Sequence, residues 1–335
     1  MKKILNTPDL FVQDTMEGIA LAHPDKVALL DDDFRVLVSK YPTSEGKVGI
    51  VTGGGSGHLP LFLGYVGEGM LDGCAVGEVF ASPSAEKMAE MIRACDRGAG
   101  VVCLFGNYNG DLFNFRMAME DVEFDDIETR AVVVGDDVAS SPAESADKRR
   151  GVAGIVYAYK VAGAAATEGR DLDAVVEVTR KALDNIRTMG VALTPTIVPK
   201  VGKPGFTIAD DEIEIGMGIH GEAGIEVRKM MRADEIAELI VGTIERDMPL
   251  TSGDRVSVLI NGLGGTPLEE QYIVYRAVHR LLLEQDVHVV MPHIGEFATS
   301  MEMAGLSVTL FKLDDELETL LRAPARTPFY TNLNK

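Results

Sequence analysis

Short apolar runs that stop at Gly, Asn or Asp set the strongest limit on what this chain can fold into. Val48 to Thr52, Cys74 to Phe80, Val101 to Phe105 and Ala131 to Val134 are too short for helices and carry no polar face, the pattern of buried parallel strands. Between the second and third runs, Met88, Met91, Ile92 and Cys95 recur at helical spacing, and Ser82 with Pro83 suits an N-cap and a first helical residue. Strand, helix, strand is the βαβ unit. A longer helix is predicted along Leu172, Val175, Val176, Thr179, Leu183 and Ile186, after which Pro195, Pro199 and Pro204 break the pattern between Thr194 and Gly205.

The second half continues in the same style without an evident repeat. Val256 to Ile260 is a short apolar run followed by NGLGGTPLEE, in which Thr266 and Glu269 form a capping box and Pro267 opens a helix through Tyr272, Tyr275 and Leu282. Val287 to Met291 and Val308 to Phe311 read as further strands, and the tail APARTPFYTNLNK reads as irregular. At 335 residues the chain has room for two domains at ~150 residues each. The expected class is therefore α/β: two α/β domains, each a sheet with flanking helices, residues 1–190 carrying the GGGSGH and NYNGD loops and residues 191–335 the GIHGE histidine and the NGLGGTP loop.

Charge and cysteine content exclude several partners. Lys and Arg number 32 against 52 Asp and Glu, a net charge of -20 that repels nucleic acid and anionic membranes. Cys74, Cys95 and Cys103 are odd in number, sit in apolar runs and lack metal-ligand spacing, so structural thiols in a reducing compartment are expected. The start MKKILNTPDL is too short and polar for a signal peptide, and nowhere do about 18 apolar residues run together. A cytoplasmic, soluble protein is the expectation. The acidic stretches DDEIEI and EFDDIE and the basic run Lys148, Arg149, Arg150 read as surface faces or caps rather than sites, and Met217, Met230, Met231, Met301 and Met303 as core filling.

Chemistry is expected on the glycine-rich loops. In GGGSGH after the first run, glycines permit positive φ and let a ligand approach the backbone N–H groups of Gly55, Ser56 and Gly57. A tight turn with nothing bound explains the same residues. No GK[ST] follows, so the loop is not a P-loop, and its register does not match a dinucleotide fingerprint. His58 is suited to general acid or base work near neutral pH. Asp111, in NYNGD, follows a strand at its carboxyl end, where open α/β sheets bind ligands. Taken singly, an Asp after Gly is most often a turn residue. His220 lies between Gly218 and Gly221 with little steric cover. The weight rests on the combination of two such histidines, one such aspartate and a second glycine loop in one chain.

GGGSGH, NYNGD, DDV followed by RRGVAG, GKPGFT, GIHGE, GDRV and NGLGGTPLEE, in this order, make the chain resemble the substrate-binding subunit of dihydroxyacetone (glycerone) kinase from Leu5 to its end. The resemblance implies two α/β domains, a homodimer, and a kinase subunit that holds a short ketose, with the nucleotide on a separate all-helical subunit. It implies that His220 binds the ketone covalently as a hemiaminal, that Asp111 accepts the hydroxyl proton, that His58 hydrogen-bonds the substrate, and that Gly55, Ser56 and Gly57 contact its oxygens. No metal site is expected in this chain. The donor is ATP with Mg²⁺, or a tightly bound ADP recharged by a phosphocarrier protein, on the partner.

Two positions depart from the family's commonest pattern: Leu59 stands where Glu is expected after His58, and Gly106 where Lys is expected before Asn107. Loss of a long cation opens space for a tetrulose or branched pentulose such as erythrulose or apulose; drift at a pocket rim explains the same change. A non-catalytic ketose-sensing co-regulator remains the alternative of another class, which the presence of His58 and Asp111 weighs against. An oxidoreductase reading lacks the nicotinamide fingerprint.

Overall fold

The structure is a computed structural model that describes residues 2–30 and 33–333; Met1 of the polar start and Asn334 and Lys335 of the tail lie outside the described residues. Backbone contacts divide the chain into two compact units. The first contains Lys2–Val134, Val156–Ala182 and Leu317–Lys335, and the second Gly135–Ile155 and Leu183–Glu316. The single boundary expected at residue 190 would cut through strand β7 (Ile186–Ala192). It fails because the chain leaves the first unit early, at residue 134, and returns to it twice. The breaker-rich stretch around Pro195 to Pro204 lies inside the second unit.

The first unit is built on β1 (Val27–Leu30), β2 (Asp33–Ser39), β3 (Gly49–Ser56), β4 (Gly73–Val79), β5 (Val101–Gly106) and β6 (Thr129–Val134), ordered β1-β2-β4-β3-β5-β6. β3 runs parallel to β4 and β5, and β5 parallel to β6, while β1 and β2 form an antiparallel edge. The four apolar runs of the first half are therefore the parallel centre of this sheet. Phe80 ends β4 because it takes φ 59, outside the range of a strand. Helix α1 (Phe11–Ala22) precedes the sheet, and α2 (Ala85–Cys95) and α3 (Asn109–Val122) cover one face. Met88, Met91 and Ile92 of α2 and Phe115 and Ala118 of α3 pack there on Val51, Cys103 and Phe105. Thr52, pointing the other way from Val51, bonds through its hydroxyl to Tyr159 of α4 (Ile155–Thr167) at 2.8 Å, so α4 lies on the opposite face. α4 is buried along its length, and Gly163 lets it lie directly on the backbone of Gly69 and Met70. α5 (Leu172–Asp184) follows; it ends before Ile186, which opens β7 instead of closing the helix.

The second unit holds β7, β8 (Glu212–Ile215), β9 (Glu226–Lys229), β10 (Arg255–Gly262), β11 (His288–Val289), β12 (His293–Glu296) and β13 (Gly305–Leu313). Their order is β11-β10-β13-β7-β8-β9, with β12 also paired to β10. Val256, Val258 and Ile260 alternate with Ser257, Leu259 and Asn261 on β10, and the apolar set packs under α6 (Ala233–Asp247) and α7 (Leu268–Glu284). The run Val287 to Met291 yields only the two-residue β11, since Met291 takes φ 52. The expected N-cap at Ser82 and capping box at Thr266 also shift. Ser84 rather than Ser82 caps α2, and Thr266 gives its hydroxyl to the backbone of Gly305 instead of to α7, whose N-cap is Pro267.

α8 (Asp315–Arg322) and the short pair β14 (Ala325–Arg326) and β15 (Thr331–Asn332) close the chain, so the tail read as irregular is ordered through residue 333. The Asn332 amide donates to the carbonyls of Arg322 and Ala323, both at 3.1 Å, satisfying the end of α8. Lys160 of α4 reaches the same helix, its ammonium donating to Leu320 O at 2.8 Å. All three cysteines are free and buried, and burial raises their thiol pKa values. Among the described residues no helix is long and apolar enough to cross a membrane.

Burial brings Lys160 down to about 7. The unfolded chain thus holds a proton there, from that pH up to about 10, which the folded chain has given up, so stability rises with pH across this window. Lys160→Met is expected to flatten the rise. Thermal melts of parent and variant between pH 7 and 10 check this, and an unchanged pH slope would contradict it.

Candidate functional site

The first unit places two of the three chemically equipped side chains at neighbouring strand ends. β3 runs between β4 and β5, and the chain turns from β3 toward β4 but from β5 toward β6. The carboxyl ends of β3 and β5 therefore flank the point where strand order reverses, the ligand-binding crevice of open α/β sheets. GGGSGH leaves β3 there and Asp111 follows β5 in the first turn of α3.

The glycines of that loop answer to packing. A Cβ on Gly54 would enter the ring of Phe62, and one on Gly55 would lie 2.7 Å from the Ala81 nitrogen and 2.9 Å from Phe80 backbone atoms. Gly57 takes φ +97. The Cβ side of Gly54 and of Gly55 is thus filled by the protein itself. Ser56 donates its hydroxyl to Gly77 O at 2.8 Å and accepts the Phe80 N–H at its carbonyl at 3.0 Å. The turn 80–84 also braces the start of α3: Asn114 donates to Pro83 O at 2.7 Å, and a Cβ on Gly110 would meet the Ser82 hydroxyl at 2.5 Å. One turn therefore holds both the GGGSGH loop and the start of α3.

His58 is 1% exposed. Its ring stacks on Phe80 at 4.7 Å and meets the edge of Phe62 at 6.0 Å. Both aromatics sit at positive φ, 59 and 69, conformations that side-chain-bearing residues adopt at a cost of about 1–3 kcal/mol. That cost is concentrated around a single imidazole. Asp111 is 5% exposed in the first turn of a 14-residue helix, where the helix dipole favours negative charge. Leu59 is half-buried beside His58, and Gly106 is buried as the last residue of β5.

His220 belongs to the second unit, on the loop between β8 and β9. The loop is tied to itself: Gly221 N donates to Gly218 O at 3.1 Å, and Gly218 N to Glu222 O at 3.2 Å. Gly216 and Gly221 take φ +77 and +78, and a side chain on Gly218 would collide with the Glu222 carboxylate. That carboxylate accepts the His220 backbone N–H at 2.9 Å and lies 2.9 Å from ring Nδ1. Burial opposes its ionisation, but the His220 hydrogen bond and charge, a backbone N–H and Arg150 outweigh burial and hold the Glu222 carboxyl down at about 2. An ionised carboxylate only accepts, so Nδ1 carries a proton, and in the neutral tautomer this selects, the lone pair sits on Nε2. The side chain is 20% exposed. An electrophile in reach of Nε2 meets a nucleophile.

Behind this loop stands an ion-pair chain that sequence reasoning missed. Arg150 donates to Gly216 O at 2.9 Å and to Asp137 at 3.0 Å, and lies 3.9 Å from Glu222. Burial pushes Asp137 up to about 6 even with Arg150 beside it. Arg149 is buried in a two-pronged pair with Asp247, which also takes Arg187. Arg149 and Arg150 are therefore internal anchors and not a surface cluster, while Lys148 of the same run is exposed; the signal available was their place in the DDV and RRGVAG motifs. The acidic stretches behave as caps and ion pairs: Asp211 pairs with Lys229, Glu214 accepts from Gly224 N at 2.7 Å, and Asp125 pairs with Arg93. Among the described residues no group of three His, Cys, Asp or Glu side chains is placed to hold a metal ion.

A profile of the Dak1 domain matches residues 17–329. The chain is 44% identical over 330 residues to a protein of Listeria innocua named as the dihydroxyacetone-binding subunit DhaK of a PTS-dependent dihydroxyacetone kinase, covering 98% of this chain and 99% of that one. It is equally 44% identical over 334 residues to an L-erythrulose kinase of Pectobacterium atrosepticum, covering 98% of this chain but 56% of the relative. Among solved structures, the co-activator DhaQ of a dihydroxyacetone kinase operon superposes with a TM-score of 0.89 at 32% identity, over 95% of this chain and 98% of that one.

Gly55→Ala is expected to lower stability by about 1–3 kcal/mol, because backbone atoms and not a flexible side-chain tip meet the added methyl. Gly18→Ala, in an exposed helical position with open space around it, should instead raise stability by up to about 1 kcal/mol. Urea midpoints of the two variants check the opposite signs.

Proposed function

On the premise that the chain belongs to the Dak1 family, we propose that it is the ketose-binding subunit of a cytoplasmic kinase, capturing dihydroxyacetone or a close short-chain relative as a hemiaminal on His220 before phosphoryl transfer. The observation that carries this reading is the Glu222 carboxylate on Nδ1, which leaves the lone pair on Nε2. Nε2 attacks the ketone carbon, the C–N bond forms, and the carbonyl π pair moves to oxygen, which takes up a proton. The Nδ1 proton leaves by way of Glu222 and solvent as the alkoxide takes one up, so the adduct is neutral and Glu222 ends ionised as it began. A small substrate is thereby held by one bond, and glycerol, which has no carbonyl, is refused.

Capture fixes the carbon skeleton, so the terminal hydroxyl can be aimed at the incoming phosphoryl group, and positioning is most of what such a transfer requires. In this reading Asp111 accepts the hydroxyl proton, and His58 hydrogen-bonds the substrate and assists proton movement. The Gly55 to Gly57 backbone contacts substrate oxygens. The phosphoryl group comes from a separate helical subunit carrying ATP with Mg²⁺, or a bound ADP recharged by a phosphocarrier. The PTS-dependent label of the Listeria relative favours the phosphocarrier. That the chain spans little more than half of the L-erythrulose kinase fits a division in which the remaining sequence serves the donor.

Likeness to the co-activator DhaQ supports a second reading, a ketose sensor that captures without transfer. Asp111 separates the two, because capture alone has no use for a base. Leu59 and Gly106 give the larger ketoses a place in the test.

Intact-mass measurement after incubation with dihydroxyacetone, erythrulose and apulose should show a ketose adduct that His220→Ala abolishes and glycerol never gives. With a matched donor subunit, Asp111→Asn should keep the adduct and lose turnover. Normal turnover by Asp111→Asn would remove the base assignment, and adduct without product from any donor would select the sensor.

A further inference from the structure

Arg150 faces two carboxylates of the second unit and bonds to Asp137, leaving Glu222 just out of reach. Its Nε and Nη2 lie 3.0 and 2.7 Å from one oxygen of Asp137, Oδ2, and Nη2 also donates to Gly216 O at 2.9 Å. The third nitrogen, Nη1, stops 3.9 Å from Glu222 Oε2, too far for a hydrogen bond. No side chain at residue 218 stands between them: a Cβ on Gly218 would fall 2.5 Å from Arg150 Nη1 and 2.2 Å from that same Glu222 oxygen.

We propose, on the reading that His220 captures the ketone, that Asp137 is a positioning residue for that capture: it keeps the Arg150 guanidinium off Glu222 and so reserves that carboxylate for Nδ1 of the ring. Glu222 divides its two oxygens, Oε2 taking the His220 backbone N–H and Oε1 facing Nδ1, each at 2.9 Å. A bond from Arg150 to Oε2 would join two full charges and outcompete both contacts. The carboxylate would then turn away from the ring. Asp137 prevents this because it is the nearer anion, and attraction falls with distance.

Asp137 is built to stay where it is. It is 3% exposed, its Oδ1 accepts the Ala139 N–H at 3.1 Å, and its backbone N–H donates to Arg150 O at 3.1 Å. The Arg150 backbone N–H in turn donates to the Ser140 hydroxyl at 3.0 Å. Burial raises the Asp137 carboxyl to about 6, so above neutrality it is ionised and holds the cation. Asp136 next to it is no substitute, since its carboxylate is committed to the N–H groups of Val152 and Gly154, both at 2.8 Å. A cation can therefore brace the loop through Gly216 O without claiming the carboxylate that orients the imidazole.

The ring is read by NMR of the ¹⁵N-histidine-labelled full chain without ketose, at a pH where the imidazole is neutral. The parent should carry its proton on Nδ1. Asp137→Asn is close to isosteric but leaves the cation without its counter-charge, so Arg150 closes on Glu222 and the ring shifts about tenfold toward the tautomer protonated on Nε2. Asp137→Asn combined with Arg150→Met removes both buried charges, and with them the competitor, and should return the parent's ring signals. A merely structural role predicts a double variant at least as disturbed as the single one. Adduct formation with dihydroxyacetone should follow the same order, about tenfold weaker in Asp137→Asn and recovered in the double variant. Parent-like ring signals in Asp137→Asn would overturn the role of Asp137 alone. So would a double variant with its proton off Nδ1, whether or not the single variant folds. No adduct from the parent would instead overturn the capture reading.

Discussion

A carboxylate pinned in its ionised form against an imidazole is the contact on which the functional account of this molecule rests. Glu222 has two tasks at one place: it receives the backbone N–H of His220 and so shapes the loop, and it faces ring Nδ1 and so decides which nitrogen is nucleophilic. Glycine at position 218 exists to make room for it. Arg150 supports the arrangement from behind, holding Gly216 O while its charge is balanced by buried Asp137. A buried charge chain of this kind costs solvation, and breaking it at one member leaves another unpaired. Its return here is orientation of one ring.

The first unit solves a different positioning problem with steric means. His58 is held by two aromatic rings whose backbones are at positive φ, and the turn 80–84 packs against glycines of β3 and of the α3 start at once. Loops that must present polar groups are usually the soft parts of a fold. Here the softness expected of GGGSGH is removed by filling the space above its Cα atoms. The loop is rigid because it is glycine-rich, not in spite of it.

Most of the parallel centre of the first sheet was legible, because buried parallel strands are continuously apolar and end at turn residues. The domain boundary was not. Residues 135–155 and the tail after residue 316 belong to units that neighbouring sequence does not announce, and no local pattern encodes which sheet a strand or helix will return to. Caps were misplaced where a hydroxyl found a better tertiary partner, as Thr266 did with Gly305. His58, Asp111 and His220 could be singled out from glycine-bounded loops, whereas Arg150 and Asp137 could not, since their importance lies in partners far along the chain. Glu222 was within reach: two residues after a histidine in a glycine loop, its carboxylate can fold back on the ring.

The central claim is that Nε2 of His220 adds to a ketone carbon. Dihydroxyacetone labelled with ¹³C at its central carbon, followed by NMR on the protein with ¹⁵N-labelled histidine, tests it at the bond itself. The account predicts that the bound carbon leaves the carbonyl region for the tetrahedral region, that it couples to Nε2 of His220, and that before substrate is added Nδ1 carries the proton. A bound ketose whose central carbon stays in the carbonyl region, or a free enzyme with the proton on Nε2, would contradict it.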